Sequence, residues 1–326
     1  MSRMVTIGSA NQDIYLIDHD DFESVEVGDV SIFGGLPIGT KADIDKVCYL
    51  VGGSGVNPAV TFARYGHEAI FMGNIAKDAA GEAVLAGLDT EDIDSSYVET
   101  VPGRTGCHVV LLDAKTGAHT TLSYQGVSAK YDNLRAEELE NIQPDWLYAT
   151  SLHGDMEKLL EFFEQAHAVG AKVMFNPGPQ ELAKKAKLIG LLDEVDVLLV
   201  DKAEAAEIVP GVLLTELLAH LANYCPIVLI TDGVMGAIAT DRKESYRLGV
   251  YEQKHVRDAT GAGDAFGSGF LADFAENGKF ERALKFAAAN AAKVTQRYGA
   301  WAGILTGDEE LHPMPIQKIE DLAGWN

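Results

Sequence analysis

The sequence predicts an α/β protein built on a mostly parallel sheet with helices on both faces. Three observations carry that expectation. Strand-like and helix-like runs alternate along most of the chain, the strand-like runs are rich in Val, Ile and Leu, and no linker or charge block divides the 326 residues. Strands that are apolar on both sides need cover above and below, which the intervening helices supply. One domain over 1–326 is the simplest organisation.

The elements follow in order. A first strand is expected at 4–9, a helix at 57–65, a strand at 69–73 and a helix at 79–88. Then come a strand at 146–149, a helix at 156–168, a strand at 172–175, a helix at 181–192, a strand at 195–200, a short helix at 203–208 and a strand at 227–230. Two helices, 262–276 and 280–297, close the pattern. Two stretches break it. Residues 24–50 and 106–123 hold strand-like segments with no helix between them, including 107–112 and 119–123 around a Lys115-Thr116-Gly117 turn, and they read as β-structure projecting from the main sheet.

Composition excludes several function classes. The formal charge of −23 would repel a polyphosphate backbone, so no nucleic-acid partner is expected. A small anion such as ATP is still admissible, because its binding depends on local amides and Mg²⁺. No apolar stretch is long enough to cross a bilayer and no signal-peptide pattern opens the chain, so a membrane partner is not expected. Cys48, Cys107 and Cys225 are few, odd in number and widely spaced, which fits a reducing cytoplasm and no disulfide framework. The histidines show no metal-ligand spacing.

The most informative run is Asp258-Ala-Thr-Gly-Ala-Gly-Asp264-Ala-Phe-Gly-Ser-Gly-Phe270. Thr260 to Gly263 lack bulk, so the backbone can turn and present successive N–H groups, and an apolar helical run follows. Amides at a helix start suit a phosphate whose charge grows during transfer; here they would be those of Gly261, Ala262, Gly263 and Asp264. Asp264, in the first turn, could take the proton of an attacking hydroxyl. Taken alone, the segment also fits a plain turn with a helix cap. It is not a Rossmann fingerprint, since Phe266 stands where the third glycine belongs, and the chain has no P-loop.

Two further clusters accompany it. Asn11 and Asp13 follow the first strand, where open α/β sheets bind ligands, and they can pair with vicinal hydroxyls. Gly52, Gly53 and Gly55 allow close approach of backbone to ligand, and Asn57 at the next helix start could hydrogen-bond it or simply cap the helix.

Together these runs resemble the ribokinase-like PfkB carbohydrate kinases. The run 258–269 resembles that family's C-terminal signature, D-T-x-G-A-G-D-x-F-x-x-G, with Ala259 as a departure. Gly52-Gly-Ser-Gly-Val-Asn-Pro-Ala59, with Ala63-Arg-Tyr-Gly66 and Asp78-Ala-Ala-Gly81, resembles the N-terminal one, departing at Ala76 and, relative to several ribokinases, at Ser54. The resemblance covers nearly the whole chain. It implies a ribokinase-like, Rossmann-like layered fold with a small β-lid over the substrate, here roughly 14–51 and 101–126, often paired with a second subunit's lid in a homodimer.

The same resemblance assigns roles. Asp264 would be the base, and Asn11, Asp13, Gly53 and Asn57 would hold the acceptor. Asp201-Lys-Ala-Glu204 resembles the N-x-x-E motif that organises Mg²⁺, with Asp201 for Asn and Glu204 in place. Thr231-Asp-Gly233-Val-Met-Gly236 resembles the T-x-G-x-x-G nucleotide loop, and Asn290 lies in the stretch that flanks adenine and, in many members, a K⁺ site. The expected activity is ATP-dependent phosphorylation of a hydroxymethyl group on a sugar. A nucleoside kinase is the alternative, kept open by the long 14–51 stretch with Phe33-Gly-Gly-Leu-Pro37, and a sugar-binding protein without catalysis is a third reading.

Overall fold

The computed structural model describes residues 1–18, 24–27, 30–33, 39, 41, 43–113, 119–251 and 256–320. In chain order the first half contains β1 (Arg3–Ile7), β2 (Asn11–Asp18), β3 (Ser24–Val27), β4 (Val30–Phe33), β5 (Lys46–Gly52), α1 (Val56–Tyr65), β6 (Glu68–Ile75), α2 (Ala79–Thr90), β7 (Val98–Thr100), β8 (Gly106–Asp113), β9 (His119–Tyr124), α3 (Glu138–Ile142) and β10 (Trp146–Thr150). The second half adds α4 (Met156–Ala168), β11 (Lys172–Asn176), α5 (Pro179–Leu182), α6 (Lys185–Leu191), β12 (Val197–Asp201), α7 (Lys202–Ile208), α8 (Leu214–Leu221), β13 (Ile227–Thr231), β14 (Ala237–Thr240), β15 (Ser245–Leu248), α9 (Ala262–Asn277), α10 (Phe280–Val294) and β16 (Ile316–Ile319).

The main sheet runs β16-β15-β14-β13-β12-β11-β10-β1-β6-β7. It is parallel from β7 to β13 and antiparallel beyond. Alternation along the parallel strands divides their side chains between two cores. Met4, Tyr148, Met174 and Leu199 pack under α1, α9 and α10, while Val5, Leu147, Val173 and Leu198 pack under α4, α6 and α8. Burial on both faces explains why the strands read as continuous apolar runs.

A second sheet, β5-β2-β8-β9, and a β3–β4 hairpin form the projecting β-structure. Strand β2 pairs antiparallel with β5 and parallel with β8. Its inner face buries Tyr15 and Ile17 with Val110 and Leu112, packed against Tyr298 beyond α10. The anticipated turn at Lys115–Gly117 and the 34–37 part of the glycine-proline run lie outside the described residues.

Several expectations need correction. Asn11 and Asp13 are not in a loop after β1; they open β2, in the second sheet. The expected helix 181–192 is two helices, α5 and α6, because the Glu181 carboxylate is turned fully inward. There it accepts from Ser151 Oγ at 2.6 Å, Gly154 N at 2.6 Å and Gly178 N at 2.9 Å, which holds α5 to the loops after β10 and β11. The strands β14 to β16 and helix α8 were not anticipated.

Candidate active site

Helix α9 approaches the sheet closely at its start. A Cβ on Gly267 would lie 2.4 Å from Leu199 Cδ2 and 2.7 Å from Tyr148 Oη, so the first turns of α9 cross the carboxyl ends of β12 and β10. The turn before it needs a left-handed residue, and Gly261 supplies it at φ 76°. A Cβ there would meet Ala300 Cβ at 2.4 Å, so any other residue would be excluded by space as well as by conformation.

The amides of Gly261, Gly263 and Asp264 have no acceptor among the described residues. That of Ala262 differs from the sequence expectation, because it donates to Ala259 O at 3.2 Å. Asp264, in the first turn, accepts from Asn57 Nδ2 at 2.8 Å. Burial pushes its carboxyl up to about 6, and the Asn57 hydrogen bond opposes that rise. The neighbouring Tyr148 hydroxyl is fully buried and has no hydrogen-bond partner among the described residues.

Asn57 gives one Nδ2 hydrogen to Asp264 and keeps the other for a ligand. Its other end accepts from Trp301 Nε1 at 2.8 Å, so both ends of the amide are engaged and its side chain joins Trp301 to Asp264. Arg64 fastens Trp301 in turn, donating from Nη1 to its carbonyl at 2.7 Å while forking onto Glu91. Trp301 was missed in the sequence, although the glycine before its run marks the turn that presents it.

On the second sheet, Asn11 and Asp13 share one face of β2 and are nearly buried. Asn11 Nδ2 donates to Asp13 Oδ1 at 2.6 Å, and His108 Nδ1, directly across the β2–β8 register, lies 3.3 Å from the same oxygen. His108 is the second residue that the sequence did not single out. Opposite them, Gly53 at φ 122° rests on the loop after β1, where a Cβ would be 2.3 Å from Ser9 O. Ser54 Oγ stitches the same turn to Thr150 Oγ1 at 2.9 Å and Ser9 Oγ at 3.2 Å.

The other side of α9 is hollow. A cavity of about 580 Å³, within the usual range for small-molecule sites, is lined by Thr231, Gly233, Gly236, Gly263, Phe266 and Ala288, among others. It runs from the β13–β14 turn to the free amides. Asn290 does not line it. That side chain is fully buried, donating to Ala265 O at 2.9 Å and accepting from Leu305 N at 2.9 Å, so it fastens α10 to α9.

Asp201 stands beside Thr231 in the β12–β13 register. It forms a reciprocal cap with Glu204, each side chain accepting the other's amide at 2.8 Å. Burial raises the Glu204 carboxyl above its ordinary range. Only its Oε2 is engaged among the described residues, leaving Oε1 open.

The model of the pfkB family of carbohydrate kinases matches residues 1–306. The chain is 28% identical over 261 residues to a ribokinase of Lactococcus lactis, covering 78% of this chain and 82% of that one. It is 28% identical over 252 residues to an ATP-dependent ribose-1-phosphate kinase of Halopiger xanaduensis, covering 76% and 81%. Among solved structures, the nucleoside kinase of Methanocaldococcus jannaschii superposes with a TM-score of 0.75 at 19% identity, covering 94% of this chain and 96% of that one. The family match runs through both glycine turns and the strands of the second sheet alike, and the chain belongs to the pfkB family of carbohydrate kinases.

Proposed function

We propose that the protein transfers the γ-phosphate of ATP to a hydroxymethyl group of a sugar. One observation supports this most: a carboxylate with its pKa pushed up to about 6 sits in the first turn of a helix whose leading amides are free, and Asn57 holds it. A base of that pKa is ionised at neutral pH yet retains basicity, as proton abstraction from an alcohol requires. The acceptor oxygen attacks the γ-phosphorus, the bond to the β-phosphate oxygen breaks, and the hydroxyl proton passes to Asp264. The free amides of Gly261, Gly263 and Asp264 stabilise charge on the transferring group.

Asp13 and His108, with Asn11 behind them, suit the remaining hydroxyls of the acceptor, and the cavity at Thr231 and Gly236 suits the adenine. Glu204 Oε1 is a hard oxygen donor, held in place by its cap with Asp201, which fits a Mg²⁺ ion that takes most of its ligands from phosphate and water. Bound there, the ion would neutralise phosphate charge. Potassium does not fit at Asn290, whose oxygen is already taken by Leu305 N, and no step is assigned to it.

The second sheet acts in this reading as a lid that excludes water from the γ-phosphate. Its outer face carries the cross-strand row Tyr49, Ile14, Val109 and Leu122, with Tyr49 68% and Leu122 59% exposed. An apolar row of this kind suits a second copy of the chain, giving a homodimer through the lid. A cytoplasmic setting belongs to the same reading, since Cys48, Cys107 and Cys225 stand as free thiols.

The acceptor is tested with purified protein, Mg²⁺–ATP and a panel of pentoses, hexoses, sugar phosphates and nucleosides, following ADP release and the phosphorylated product. Turnover of a sugar is expected. Exclusive turnover of nucleosides would select the alternative, and binding of a sugar without ADP release would leave only a binding protein.

A further inference from the structure

Helix α2 supplies no residue to the site, and one of its positions is unfavourable without an evident local reason. Gly87 stands in the helix interior, where glycine is destabilising relative to alanine. Its backbone is not left-handed, so alanine would fit its conformation. What excludes a side chain is a neighbour. A Cβ on Gly87 would lie 3.0 Å from Trp301 Cη2 and 3.1 Å from Trp301 Cζ3, tighter than ordinary contact, whereas Val51 Cγ2 would be 3.5 Å away. The outer edge of the indole therefore rests in the notch that Gly87 leaves.

The same helix holds the same residue a second time. Glu91 stands at the C-cap of α2, four residues beyond Gly87 and so on the same face. It takes the Arg64 guanidinium as a fork, from Nε at 2.8 Å and from Nη2 at 2.6 Å. Arg64 Nη1 then donates to the Trp301 carbonyl at 2.7 Å. Ring and backbone of Trp301 are thus both fixed from α2, the ring by shape and the carbonyl by charge-assisted hydrogen bonds.

The indole passes this restraint on. Its Nε1 donates to Asn57 Oδ1 at 2.8 Å, and Asn57 Nδ2 donates to Asp264 Oδ2 at 2.8 Å. Cη2, Cζ3 and Nε1 belong to one rigid ring system, so the edge against Gly87 cannot shift without moving the N–H at the other side.

We propose that Gly87 is a positioning residue for the phosphoryl transfer: the notch it leaves in α2 seats the Trp301 indole, and the seated indole holds the Asn57 amide against Asp264. Gly87 touches no substrate; it acts through Trp301 and Asn57. The charged groups packed along these contacts are Arg64 after the middle of α1, Glu91 at the end of α2 and Asp264 in α9, the first two already paired with each other. The inference rests on the reading of Asp264 as the base.

Gly87→Ala tests the seat, because the two roles open to this glycine give opposite results. As a plain helix residue it should yield a higher melting temperature and an unchanged rate on replacement by alanine. As a seat it should displace the indole. The Trp301 Nε1–H signal in a nitrogen–proton correlation spectrum, identified among the three tryptophans by its loss in Trp301→Phe, should shift and exchange with solvent about tenfold faster, while the other two indole signals stay in place. kcat should fall about tenfold with both KM values within about twofold, and the acid limb of kcat should move upward, because the Asn57 hydrogen bond favours the charged carboxyl. In a Trp301→Phe background, which lacks the clashing edge, Gly87→Ala should add less than about a twofold loss. An unmoved indole signal, or losses that multiply in the double variant, overturns the proposal. Should Gly87→Ala fail to fold, Arg64→Lys, which cannot fork onto Glu91 while holding the Trp301 carbonyl, should show the same indole shift and rate loss. If wild type phosphorylates nothing in the panel, the reading of Asp264 fails separately, and the indole signal still decides the seat.

Discussion

Asn57 Nδ2 donates to Asp264 Oδ2 over 2.8 Å, joining the first turn of α1 to the first turn of α9 across most of the chain. The two glycine-rich signatures thus meet at a single hydrogen bond, and the lone pair that it occupies belongs to the proposed base. Trp301 fixes the orientation of the Asn57 amide, so that the N–H, not the oxygen, faces the carboxylate.

Asp264→Asn should abolish turnover by about a hundredfold or more, because the acceptor proton loses its destination. The same change should stabilise the protein at neutral pH. The folded-state pKa is raised to about 6, so the fold favours the protonated carboxyl; that contribution is complete below the unfolded value and is lost as pH rises through about 6. A neutral amide avoids the cost, and a gain of about 1 kcal/mol is expected at pH 7.5 after allowing for partial solvation. Thermal melts at pH 4 and 7.5 check it: the gain should be small near the unfolded value and grow as pH rises to about 6.

Asn57→Ala should move the pH profile. Wild-type kcat should rise with pH through about 6 as Asp264 ionises. Since the Asn57 hydrogen bond favours the charged form, removing it should shift this acid limb upward. Trp301→Phe, which frees the Asn57 amide without deleting it, should shift the limb in the same direction by less. A limb that stays in place in both variants would separate Asn57 from the base.

Most of this frame was legible from local features, and the omissions share a physical cause. Continuous apolar strands, helix-period runs and glycine turns are written within a few residues, which is why α1, α4 and α9 stand within a residue or so of their expected positions. Trp301 and His108 gain their roles only through partners at Asn57 and Asp13, far away in the chain, so no local pattern announces them. Asn290 misleads for the same reason: its helix lines the cavity through Ala288 and Ala291, while the asparagine itself points between helices. Glu181 opens the expected helix 181–192, and its three buried hydrogen bonds, to Ser151, Gly154 and Gly178, are made to residues outside that run.

If Asp13 holds the acceptor as proposed, Asp13→Ala should raise acceptor KM at least about tenfold with little change in ATP KM. His108→Ala should raise acceptor KM less, because Asn11 still holds Asp13 Oδ1. Steady-state kinetics with each substrate varied in turn measures both. Equal effects on the two substrates would move β2 out of the acceptor site.

Tyr49→Asp combined with Leu122→Asp places two charges in one cross-strand row on the outer face of the lid. Both positions are exposed, so the fold should tolerate the change, whereas burying those charges between two copies would be costly. Light scattering should find a wild-type dimer and a monomeric variant. A monomeric wild type would leave this apolar face without its proposed occupant.

Asp201 and Glu204 share a reciprocal cap, yet their burial differs, and that difference separates their expected parts in metal binding. Asp201 is exposed and uses Oδ1 for the Glu204 amide, a duty that Asn performs nearly as well. Asp201→Asn should therefore leave stability within about 0.5 kcal/mol, and its screened charge should alter the Mg²⁺ requirement less than twofold or so. Glu204 is partly buried, with its charged form already disfavoured and Oε1 without a partner among the described residues. Glu204→Gln keeps an oxygen for the Asp201 amide but removes the charge, so the Mg²⁺ concentration for half-maximal rate should rise several-fold while acceptor KM holds. A Mg²⁺ titration at fixed ATP on the three proteins decides between them. Superimposable curves for wild type and Glu204→Gln would leave Glu204 as a helix cap and nothing more.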